Sequence, residues 1–135
     1  MHNPIPFSKK IKVESDVIDH FDHVNNLEYI KWVLKISKEH WNSVTPVEIR
    51  DQFGWMILRH EVNYKGQAKL NDELLIKTWI KDYSTARSTR KTSITDTKSN
   101  KLIFESEANW CFVSLSTQKP ARITTEILNP FFENL

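Results

Sequence analysis

Apolar and polar residues alternate from Phe7 to Glu14, with Phe7, Ile11 and Val13 on one face and Lys10, Lys12 and Glu14 on the other. This predicts a strand with one exposed face, although Lys9 interrupts the apolar side. From Ser15 to His23 the chain is polar and acidic and reads as a loop. The period then lengthens to about 3.6 residues, that of a helix. Leu27, Ile30, Val33, Leu34, Ser37 and Trp41 line one stripe, and Glu28, Lys31, Lys35 and Lys38 lie largely opposite. Tyr29, Trp32 and Ile36 widen the apolar arc, so this helix is expected to be covered on more than one side. Asn25 or Asn26 suits the N-cap, and Glu28 falls in the first turn, where the dipole favours it.

Thr45-Pro46-Val47-Glu48 has the form of a capping box with proline at the first helical position, and Gly54 is a natural stop. A short second helix over 45–53 follows. Beyond it every segment reads as strand. Met56, Leu58, His60, Val62 and Tyr64 alternate with Ile57, Arg59, Glu61 and Asn63. After a turn at Asn71-Asp72, the residues Leu74, Ile76, Thr78 and Ile80 form an apolar face. Arg87 to Asp96 is rich in Thr and Ser, Thr97 to Asn100 supplies another turn, and Leu102 to Leu115 carries Phe104, Ala108, Trp110 and Phe112 on one face. Consecutive strands of this kind predict an antiparallel meander. One long apolar helix and one sheet must cover each other, which gives an α+β architecture with the sheet wrapped around the helix. Trp79, Ile103 and Val113 on the uncovered side point to a second subunit.

Composition narrows the class. A length of 135 residues fits a single domain over 1–135. Nineteen basic against 17 acidic side chains leave a net charge of +2, too balanced for a nucleic-acid binder. No apolar stretch approaches a membrane span, and Met1 to Lys10 lacks the secretory-signal pattern. The single Cys111 excludes an internal disulfide and a cysteine zinc site, and its apolar strand setting marks it as core. The two glycines, Gly54 and Gly66, cannot build a phosphate-binding loop. A cytoplasmic protein is the expectation.

The run Asp19-His20-Phe21-Asp22-His23-Val24-Asn25-Asn26-Leu27-Glu28-Tyr29 resembles the signature of the 4-hydroxybenzoyl-CoA thioesterase family of hotdog-fold enzymes. Its His-Val-Asn-Asn-x-x-Tyr part also resembles the plant acyl-carrier-protein thioesterases. The likeness continues through Tyr64, Asn71 to Leu74, Arg87-Ser88-Thr89 and Trp110 to Val113. It implies a hotdog fold, assembly as a homodimer or homotetramer, and hydrolysis of acyl thioesters, acyl-CoA first and acyl-ACP as the alternative. Two positions depart from it. Val17 stands where relatives have the first acid of Asp-x-Asp, with Asp16 displaced by one, and Asp22 stands where they have glycine. Phe21 also replaces the asparagine of the plant enzymes.

The resemblance places the catalytic carboxylate at Asp19 and the polarising backbone N–H at Asn26. A thiolate leaves readily, so the reaction needs an oxyanion donor and delivery of a nucleophile more than a strong acid. Free N–H groups at a helix start suit the oxyanion. Asp19 either attacks directly, giving a mixed anhydride, or acts as a base on water. His23 either hydrogen-bonds near the reacting atoms or anchors the loop. Tyr29 points to substrate or into helix packing, and Gln67 and Glu61 offer polar groups across a dimer. Arg87, Arg90 and Lys91 form a basic cluster that the resemblance associates with the CoA nucleotide. His and Asp in Asp19-His20-x-Asp22-His23 also invite a metal reading, but adjacent loop residues diverge, so neither metal nor cofactor is expected. A non-catalytic acyl-thioester-binding protein of the same fold is the rival reading.

Overall fold

The computed structural model describes residues 3–135. Met1 and His2, which open the segment read for a secretory signal, lie outside the described residues. Strands β1 (Asn3–Pro4) and β2 (Phe7–Lys12) lead through a short turn to helix α1 (Asn26–Val44) and helix α2 (Val47–Gln52). Strands β3 (Phe53–Tyr64), β4 (Glu73–Tyr83), β5 (Arg87–Asp96) and β6 (Leu102–Ser114) follow, then helix α3 (Thr125–Leu128) and strand β7 (Phe132–Glu133). The main sheet is fully antiparallel, in the order β2-β4-β5-β6-β3. The α1 helix packs against it, an α+β hotdog architecture.

Only β4-β5-β6 is the expected meander. β3 does not pair with β4, which follows it, but with β6 on the far side, from Phe53 opposite Ser114 to Tyr64 opposite Phe104. Alternation marks a strand and its buried face but says nothing of its partner; the long Lys65–Asp72 connection carries the chain back across. The C-terminal segment, for which no helix was expected, closes one end of the core. Ile123, Ile127, Leu128, Phe131 and Phe132 pack there with Trp41, Ile80 and Phe112.

Three helix expectations need correction. The buried line of α1 is Tyr29, Val33, Ile36, Ser37, His40 and Trp41, whereas Leu27 is 63% exposed and Leu34 41%. The helix is turned because aromatic partners wait on the other side: Tyr29 stacks on Phe104 with centroids 5.5 Å apart, and His40 stacks on Phe7 at 5.1 Å. The capping box at α2 does not form. Thr45 ends α1, donating its N–H to Trp41 O, and Pro46 holds the N-cap position without a side-chain hydrogen bond. Gly54 lies inside β3 rather than stopping α2; a Cβ there would meet Leu115 Cδ2 at 3.1 Å.

The inner sheet face buries Leu74, Ile76, Thr78 and Ile80 of β4, Ser88, Arg90, Thr92 and Ile94 of β5, and Phe104, Ser106 and Ala108 of β6. The outer face is more polar than expected. Lys81 pairs with Glu107 at 3.4 Å, Lys65 with Glu105 at 3.7 Å, and Lys77 lies over the Trp79 ring. Ile103 is buried because the Lys65 and Gly66 amides donate to its carbonyl and bring the chain across it. Exposed apolar side chains gather instead on β3, at Met56, Ile57 and Leu58. No described helix is long and apolar enough to cross a membrane.

Candidate functional site

The motif before α1 folds as two short antiparallel arms. Ile18 bridges Val24, the Asn25 amide donates to Val17 O, and the Asp19 amide donates to His23 O, each bond 2.9 Å long. The arms therefore hold Asp19 beside the segment that starts the helix. Asp19 Oδ1 accepts from the Phe21 amide at 2.9 Å and from the His23 amide at 3.4 Å. One carboxylate oxygen thus shapes the turn, and Oδ2 makes no hydrogen bond among the described residues. The turn requires φ of 63° at Asp22, the left-handed region that aspartate tolerates better than most residues. Glycine, which the resemblance leads one to expect here, adopts that region freely.

At the helix start, Asn25 uses its side chain to cap the Leu27 amide at 2.9 Å, and its carbonyl accepts from the Glu28 amide at 2.9 Å. The Asn26 amide is left without a partner among the described residues. Such an N–H at a helix N-terminus, backed by the macrodipole, is suited to a developing negative charge. Tyr64, which was not singled out for the site, donates its hydroxyl to Asn26 O at 3.2 Å. Its place at the end of a strand gave no local sign of that long-range contact.

Tyr29 is only 2% exposed, and its hydroxyl accepts from the Ala68 amide at 3.0 Å while the Val24 amide donates to Ala68 O at 3.0 Å. Of the two roles open to Tyr29, packing is the one seen: its hydroxyl accepts from Ala68 and ties the motif to the Lys65–Asp72 connection. Burial pushes the Tyr29 pKa up, the Ala68 amide opposes that, and charge on Asp72, Tyr64 and Asp19 adds to the rise. Gln67, next to Ala68, is exposed at the same end of the helix. The His23 ring is half-buried and makes no hydrogen bond among the described residues. Nor do any three His, Cys, Asp or Glu side chains among the described residues converge as a metal site requires.

The expected basic cluster is divided by strand parity. Arg87 is exposed, whereas Arg90 has the parity of Ser88, Thr92 and Ile94 and points inward, 7% exposed. Contact between Arg90 and a surface nucleotide is therefore corrected. Its Nη1 donates to His40 Nδ1 at 2.9 Å and to Thr78 Oγ1 at 3.1 Å. Arginine has no acceptor, so His40 Nδ1 must accept and the imidazole is neutral. Burial first, and the Arg90 charge second, lower its pKa to about 3. Burial also lowers Arg90, to about 10, which leaves it cationic at neutral pH.

Arg90 stands at a cavity of about 480 Å³ between the C-terminal half of α1 and the β3 side of the sheet. Leu34, Trp41, Trp55, Ile57 and Trp110 are among the residues that line it. A second cavity of about 240 Å³ lies across the helix, beside β2. Neither is lined by Asp19 or Asn26. Cys111 is buried in β6, as expected.

Residues 4–131 match the family described as acyl-ACP thioesterase N-terminal domain. The chain belongs to that family. The match does not single out the 4-hydroxybenzoyl-CoA group whose signature the helix-start motif also resembles. No curated protein matches the chain. Among solved structures, a 1,4-dihydroxy-2-naphthoyl-CoA thioesterase from Synechocystis superposes with a TM-score of 0.80 at 16% identity, covering 93% of this chain and 94% of that one. A Staphylococcus aureus protein in complex with CoA gives 0.81 at 17% identity, covering 95% and 82%. The 12:0-ACP thioesterase of Umbellularia californica gives 0.80 at 15% identity, covering 96% of this chain but 52% of that one. At these identities the likeness establishes the shared fold.

Proposed function

We propose that this acyl-ACP thioesterase family member hydrolyses acyl thioesters, with Asp19 as nucleophile or general base and the Asn26 backbone N–H as oxyanion donor. The observation that carries the reading is the unpartnered Asn26 amide at the start of α1, beside a turn in which Asp19 keeps one carboxylate oxygen free. As a base, Asp19 takes a proton from water while the resulting hydroxide attacks the carbonyl carbon. The oxyanion is held by Asn26 N–H, the C–S bond breaks, and the thiolate departs with the acid left behind. As a nucleophile, Asp19 displaces the thiolate to give a mixed anhydride that water then opens. Neither route calls for a metal or redox group.

Coenzyme A is the favoured carrier, with exposed Arg87 available to its phosphates. Carrier protein is the second reading, favoured by the family match. Turnover of one acyl chain on both carriers, followed by thiol release, separates them.

Asp19→Asn tests the chemistry. The amide oxygen still accepts from the Phe21 and His23 amides, so the turn and the melting temperature should persist. It is a very poor base and no carboxylate nucleophile, so kcat should fall at least about a hundredfold. Asp22→Asn is the control, because asparagine also tolerates the left-handed backbone there. A folded Asp19→Asn variant with wild-type turnover would refute the mechanism. If no acyl thioester is cleaved by the wild type, the non-catalytic acyl-binding reading takes over.

A further inference from the structure

The cavity beside Arg90 is lined largely by apolar residues, with Ser37, Ser88 and two cations, Lys38 and the buried Arg90, among them. Both hydrogen bonds of Arg90 leave from Nη1, and no carboxylate pairs with it among the described residues. Its Nε and Nη2 donors are therefore unused. Trp110 Nε1, buried and without a partner, belongs to the wall of the same cavity. His40 offers no counter-charge, since its neutral ring accepts from Nη1. Arg90 is 7% exposed and has no anion beside it among the described residues, a costly setting for a guanidinium. The cavity of about 480 Å³ beside Arg90 has room for an acceptor.

The way in from the helix start is marked by side chains that face away from the core. Leu27, Ile30 and Leu34 follow one another three and four residues apart on α1, exposed or half-buried. They lead from the turn beside Asn26 to Leu34, which lines the cavity with Ile57 of β3. At about 1.5 Å rise per residue, Leu34 is about 12 Å from Asn26 along the axis, a distance an extended acyl chain can span.

We propose that this cavity receives the far end of the acyl chain and that this end carries a carboxylate, so the substrate is the thioester of a dicarboxylic acid. The proposal rests on the thioester-hydrolase reading above. A carboxylate can accept from Nε and Nη2 of Arg90 together, the paired geometry that guanidinium favours. A hydroxyl would satisfy fewer donors, and a methyl end would leave all of them unpaired.

The test offers CoA thioesters of one chain length, ending in methyl, hydroxyl or carboxylate, to wild type and to Arg90→Met. In wild type the carboxylate end should raise kcat/KM about tenfold or more over methyl, chiefly through KM, as expected for a buried charged hydrogen bond. Arg90→Met should abolish or reverse the order. A wild type that prefers the methyl end overturns the proposal, whether or not the variant folds. If no ester of the panel is cleaved, the hydrolase reading fails separately and binding decides. Octanoate and 1-octanol are then titrated against the emission of the cavity tryptophans. Tighter binding of octanoate, lost in Arg90→Met, supports the pocket assignment; equal or tighter binding of the alcohol overturns it.

Discussion

His40 lies between the Phe7 ring and the Phe131 ring, with Nδ1 turned to the Arg90 guanidinium. Its pKa, lowered from 6.5 to about 3, makes a statement about stability. Between those values the unfolded chain binds a proton that the folded chain refuses. The contribution of neutral His40 is therefore fully present above about pH 6.5 and is lost as pH falls, at up to about 1.4 kcal/mol per pH unit. The Asp96 carboxyl, lowered by hydrogen bonds from the Ser99 and Lys98 amides, changes stability in the same direction, so wild type alone does not isolate His40. Urea midpoints should be compared with His40→Gln, whose amide oxygen can still accept from Arg90. Wild type should lose stability more steeply than the variant between pH 6.5 and 4. Parallel curves would mean that His40 titrates normally in the fold.

At the scale of elements, α1 joins both halves of the candidate site. Its first turn depends on Asn25, whose side chain holds the Leu27 amide. Asn25→Ala should lower stability by about 1 kcal/mol in denaturant titration. It should also reduce turnover, because fraying there moves the Asn26 amide; unchanged kinetics in a destabilised variant would separate the cap from the site. This helix was largely legible from its 3.6-residue period and its asparagine caps, and the strands from alternation and turn residues. Which side of α1 is buried was not, since Leu27 and Leu34 match an amphipathic stripe as well as Tyr29 and Ile36 do. Only the positions of Phe104 and Phe7, fixed by tertiary pairing, decide between them. The inward position of Arg90 was readable from its parity with Ile94, which a grouping by charge overlooks. Asp19 and Asn26 were singled out by the resemblance of the helix-start motif, whose residues are local in the sequence. Tyr64 and Ala68 reach the motif across about 40 residues of chain, at separations of 38 and 39, where local pattern carries no information.

For the whole molecule, the two edges of the main sheet are unlike. β2 carries Lys9, Lys10 and Lys12 in six residues, which discourages pairing with another strand. β3 is twelve residues long, has no proline, and exposes Met56, Ile57 and Leu58. We propose that a second copy of the chain pairs along β3, giving a homodimer or, by further association, a homotetramer. The partner would then cover the side of the Arg90 cavity at Ile57, and it would lie along the route from Asn26. Sedimentation equilibrium at micromolar concentration should give at least twice the chain mass. Met56→Lys and Leu58→Lys, both outside the cavity wall, should shift the distribution toward monomer by placing charge in the buried strip. Lys10→Glu on β2 should leave it unchanged. Turnover per chain should then follow the dimer fraction across a dilution series, because a cavity open along β3 is filled by water where the partner would exclude it. A wild type that sediments as a single chain at micromolar concentration removes the interface, and with it any contribution of a partner to catalysis.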